Sequence, residues 1–81
     1  MAQKTVKGIK YVNVTIKDIQ EAKHNTIFHF FQNGEVKNCR VSGECRRWKR
    51  EPKRVHLPVK VGLYQNHYIN NSNMYLIYKV V

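Results

Sequence analysis

Acidic side chains are scarce in this sequence: five Asp or Glu stand among 81 residues, against 15 Lys or Arg and four His, for a formal charge of +10. A balance so far from neutral points to an anionic partner. Long apolar runs are missing as well. No stretch approaches the ~20 consecutive apolar residues of a membrane-spanning helix, and Met1-Ala2-Gln3-Lys4 lacks the apolar core of a secretory signal. A soluble protein of the cytoplasm, with no membrane partner, is therefore expected. Cysteine is limited to Cys39 and Cys45, whereas a disulfide-stapled secreted scaffold of this size carries about four or more. Both are expected to be free structural thiols.

Chemical signatures are absent too. There is no Gly-rich phosphate loop and no nucleophile elbow. His24, His29, His56, His67 and Glu44 could act as the acid and base of a small basic ribonuclease, but no spacing brings two of them together. Cys39, Cys45, His56 and His67 are potential zinc donors. Five residues separate the cysteines and ten the histidines, so the short knuckle that places two ligands on one ion is missing. A non-enzymatic protein without metal or cofactor is expected.

What is present is enough apolar material to fold. The hydrophobic fraction is 42%, with five Tyr, three Phe and one Trp, which excludes a disordered basic tail. The length allows one compact domain, 1–81, burying only ~60% of its unfolded-state surface, too little for a deep cleft between lobes.

Local signals outline the elements. Ile9 to Val14 is β-branched and aromatic, as in a short strand. Thr15 and Asp18 form a capping box, with Val14 and Ile19 as its hydrophobic staple, predicting a helix over 16–24 that Asn25 can end. Thr26 to Gln32 and Glu35 to Val41 flank Asn33-Gly34, the dipeptide suited to a type I′ hairpin turn. Ser42-Gly43 is expected to turn the chain again into a third antiparallel strand, Glu44 to Lys49. Val55 to Tyr64 is extended, with Pro58 restricting it to an edge or irregular start. Gln65-Asn66 is expected as a tight turn, Asn70 to Asn73 as a loop, and Met74 to Val81 as the last strand.

Two-residue turns make opposite residues sum to 67 in the first hairpin and 85 in the second. One face then carries Phe28, Phe30, Cys39, Val41 and Trp48, with Lys37 and Arg46 near its edges, and takes the helix as its cover; Cys39 and Cys45 point to opposite faces. The other face carries Ile27, His29, Phe31, Val36, Arg40, Arg47 and Lys49, with its apolar members expected to lie under the C-terminal strands. The fold class expected is α+β: a small antiparallel sheet of four or five strands with one short N-terminal helix. The alternative is an all-β small barrel.

The charge is concentrated. Residues 1–44 hold seven basic and four acidic side chains, whereas 45–60 hold seven basic ones against Glu51 alone. Like charges this dense repel unless an anion neutralises them. Arg46, Arg47, Lys49, Arg50, Lys53 and Arg54, extended by Arg40 on the sheet, are the candidate phosphate contacts, and Trp48 can stack or anchor the segment. DNA or RNA is the expected partner; an acidic host-protein surface is the alternative.

The spacing of Gly43, Trp48-Lys49, Pro52, Pro58-Val59-Lys60 and Gly62-Leu63-Tyr64 resembles that of small uncharacterised proteins of tailed bacteriophages. The resemblance covers about a quarter of the chain. It implies a phage-encoded protein in the cytoplasm of an infected bacterium, where small basic viral proteins bind nucleic acid or block a host factor.

Overall fold

The structure, a computed structural model, describes residues 3–81. Seven strands and one short helix follow the chain: β1 (Gln3–Val6), β2 (Ile9–Asn13), α1 (Ile16–Gln20), β3 (Ile27–Gln32), β4 (Glu35–Val41), β5 (His56–Val61), β6 (Gln65–Asn70), a 3-10 turn (Met74–Leu76) and β7 (Ile77–Val80). All pairings are antiparallel in one sheet of order β1-β2-β7-β3-β4-β5-β6. This corrects the expected α+β sheet of four or five strands. Nor does the sheet close into a barrel, since β1 and β6 are its edges.

Local chemistry explains much of it. Thr15 Oγ1 accepts from the Asp18 amide and Asp18 returns the bond to the Thr15 amide, completing the capping box. The helix then stops at Gln20 rather than 24. By Asn25, whose φ is +73° and whose amide donates to Val41 O at 2.8 Å, the chain is already held along β4. Asn33 and Gly34 both have positive φ, and the β3–β4 register runs from Ile27 opposite Arg40 to Gln32 opposite Glu35, as the sum of 67 requires.

The expected third strand, Glu44 to Lys49, does not form. In that register Arg46 would face Cys39, which is fully buried, and its guanidinium would enter the core. Val61 of β5 takes the place instead. Neither Ser42 nor Gly43 has the positive φ of a hairpin turn. The chain runs on beside β5, with the Ser42 amide on Pro58 O and the Arg46 amide on His56 O, both at 2.9 Å. Gly43 crosses so close to Pro58 that a Cβ there would lie 2.9 Å from its Cγ. Pro58 is therefore inside the sheet, not on an edge. Its missing N–H falls on the flank where the β4 ladder ends at Val41–Val59.

Two further turns shape the hairpins, the second of them displaced from its expected place. Lys7 and Gly8, both at positive φ, join β1 to β2, and the β5–β6 turn lies at Gly62 to Tyr64 rather than at Gln65-Asn66. The last strand is shortened to Ile77–Val80 by the 3-10 turn and slots between β2 and β3, where the Asn13 side chain donates to the Met74, Tyr75 and Ile77 carbonyls.

The core lies on one side of the sheet. Phe28, Phe30, Cys39, Val41, Leu57, Val59, Val61, Ile69 and Ile77 point into it, and Ile19 and Val14 cover it from the helix end. The reverse side carries a smaller aromatic group of Tyr11, His29, Phe31 and Tyr78, with the Lys4 ammonium 5.4 Å from the Phe31 ring centre. The C-terminal strands join the sheet edgewise and do not cover this side as expected; Ile27 and Val36 remain 45% and 39% exposed.

Candidate functional site

The basic run forms the connection between β4 and β5, and backbone bonds hold it in place. Successive turns link the Glu51 amide to Trp48 O and the Arg54 amide to Glu51 O. On one flank Gln20 Nε2 donates to Pro52 O. On the other, the Asn71 side chain accepts from the Val55 amide at 2.9 Å and donates to Lys53 O at 3.0 Å. Ten residues of mostly like charge are thus carried by a pinned loop.

Trp48 is half-buried and lies outside the main core, away from Phe28 and Phe30, with which a third strand would have shared a face. It organises the arginines instead. The guanidinium carbons of Arg54 and Arg46 lie 4.2 and 5.1 Å from its ring centre, within cation–π range. Trp48 meets His56 edge to face, and His56 stacks nearly parallel on Tyr68, with ring centres 4.4 Å apart. A column from two arginines through three aromatic rings results. Tyr68, on edge strand β6, is 50% exposed.

The remaining candidates divide. Lys49, Arg50 and Lys53 are exposed and form no ion pair among the described residues. Arg54 pairs with Glu51 at 2.9 Å, but both partners are about half exposed, and such a pair contributes little. Arg47 turns the other way, donating to Gln20 O at the end of α1, where a helix C-terminus favours a cation. Arg40 is exposed on the reverse side of the sheet, opposite Lys60 of β5. An open groove of about 730 Å³ runs beside the loop, lined by Glu51 to His56 and by Asn70, Asn71 and Ser72.

No protein family, no curated protein and no solved structure matches this chain. The site is therefore read from its own residues.

The four candidate zinc donors are not brought together, whereas His24 and Glu44, two of the acid–base candidates, line one cavity beside the end of α1. Cys39 is fully buried, and burial pushes its thiol up to about 11, keeping it protonated at neutral pH and a poor ligand. Cys45 is also free. His67 sits edge-on to Phe30, away from the His56–Tyr68 stack. Among the described residues no three His, Cys, Asp or Glu side chains are grouped to hold an ion, and no helix is long and apolar enough to cross a membrane.

Lys60 and Tyr68 are the site residues that sequence reasoning missed, and His56, singled out there for acid–base or zinc chemistry, instead joins the aromatic column. The alternation of Leu57, Val59 and Val61 puts His56, Pro58 and Lys60 on the opposite side from the core, so His56 and Lys60 were within reach of the pattern. Tyr68 depends on the β5–β6 register, which places it opposite Pro58.

Proposed function

We propose that this protein binds nucleic acid without catalysis, with Arg46, Lys49, Arg50, Lys53 and Arg54 of the 45–54 loop contacting phosphates. The observation that carries the reading is the pairing of charge with aromatic rings. The loop's only carboxylate, Glu51, is already engaged by Arg54, while Arg46 and Arg54 lie over Trp48 in a column that continues to an exposed Tyr68. Cations that release counterions beside rings that can stack are the two components of sequence-tolerant nucleic-acid binding. An acidic protein surface would be drawn by the charge but has no need of the rings. Arg47 belongs to the anchoring of the loop on α1 rather than to the contact set.

The test is a binding titration with generic DNA and RNA at low salt, paired with a pull-down from bacterial lysate with and without nuclease treatment. Wild type is expected to bind, and the combined reversal of Arg46, Arg50 and Lys53 to Glu to abolish binding with the fold intact by circular dichroism. Recovery of one acidic protein, resistant to nuclease and in the absence of nucleic-acid binding, would overturn the proposal.

A further inference from the structure

We infer that the interface takes single-stranded nucleic acid in preference to duplex, with the outer face of Tyr68 receiving an unpaired base. This rests on the nucleic-acid reading above and names the form of its ligand.

The ring of Tyr68 has one side taken and one side open. His56 covers the first in a stacked arrangement, at 4.4 Å between centres and 23° between planes. Half of the residue's surface remains exposed, and it lies on edge strand β6 with no further strand beyond it. An aromatic ring held by a second ring is a stacking surface whose ordering cost is met in the free protein. Bases inside a duplex present only their edges, so this surface is useful only where a base is unstacked.

Cations border the column at its Trp48 end and recur on the sheet beside it. Arg46 and Arg54 lie at the Trp48 end. On the same side of the sheet, past Pro58, Lys60 stands opposite Arg40 across β5 and β4. A backbone passing from the loop across the sheet therefore meets positive charge on both β5 and β4.

A recognition helix for duplex readout is lacking among the described residues. The major groove admits a helix or a two-stranded ribbon. The helix α1 has five residues, buries Ile19 against the core and accepts the Arg47 guanidinium at its end. Contacts of the 45–54 loop with a duplex reduce to its cations on phosphates.

The experiment measures affinity for a fluorescein-labelled pyrimidine single strand and for a duplex of equal length, at low salt. Trp48, the only tryptophan, gives a second readout through its fluorescence. Wild type is expected to bind the single strand more tightly, with Trp48 emission changed. Tyr68→Ala and Tyr68→Ile should each lower single-strand affinity about tenfold, the loss of one base–aromatic stack, and leave duplex affinity unchanged. Tyr68→Phe should retain wild-type binding. Equal affinity for both forms, with Tyr68→Ala and Tyr68→Ile without effect while the charge reversal abolishes binding, overturns this inference and leaves phosphate binding standing. Failure of wild type to bind either form removes both.

Discussion

His29 lies in β3 with its ring edge against Tyr11, 5.1 Å between centres, and its Nδ1 has no hydrogen-bond partner among the described residues. Tyr78 and Asn38 flank it across the sheet, and the Lys4 ammonium stands over the adjoining Phe31 and Tyr78 rings. Burial therefore lowers its pKa below 6.5. For Asp18, burial raises the pKa, but the Lys79 ammonium at 2.8 Å and the bonds from Thr15 outweigh it, and the net direction is below 3.8. In both cases the unfolded chain takes up the proton first, so each group's contribution is complete above its unfolded pKa and is lost as pH falls through the folded one. A plot of urea midpoint against pH is expected to fall in two stages, one beginning below pH 6.5 and one below 3.8. His29→Gln should remove the first stage and keep the second. An unchanged first stage in that variant would show that His29 is not its source.

At the level of elements, the loop owes its place to Asn71, whose amide bridges Lys53 O and the Val55 amide from the β6 side. The Val55 amide, part-buried there, costs about 1–3 kcal/mol when left without a partner. Asn71→Ala is expected to weaken nucleic-acid binding severalfold and speed hydrogen exchange in 50–55, with exchange in β3 and β4 unaltered. Wild-type exchange throughout the loop in the variant would contradict the anchoring role. The same elements divide what the sequence could disclose from what it could not. Asn33-Gly34 and the Thr15–Asp18 box act within a few residues, and both form as read. The insertion of β7 between β2 and β3 is a contact across more than 45 residues of chain, for which no local signal exists. Lys7-Gly8 was missed because lysine is an uncommon residue at positive φ. The strand expected at Glu44 to Lys49 failed on charge, since its pairing would have buried Arg46. At the site, the cations were visible in the composition alone. Tyr68, at the far end of the column, was hidden because the turn lies at Gly62 to Tyr64 rather than at Gln65-Asn66.

Over the whole molecule, the charge of +10 is spread unevenly enough to give the sheet a basic end. The reading stands or falls on whether that end acts through phosphates, and the dependence of affinity on salt tests it most directly. Each phosphate neutralised on a single strand contributes a slope of about −0.7 in log K against log salt. Five loop cations should therefore give a slope of about −3 to −4, reduced by about 0.7 when one of Lys49, Arg50 or Lys53 is replaced by Ala. Binding that is indifferent to salt, or a slope unmoved by those replacements, would contradict the account.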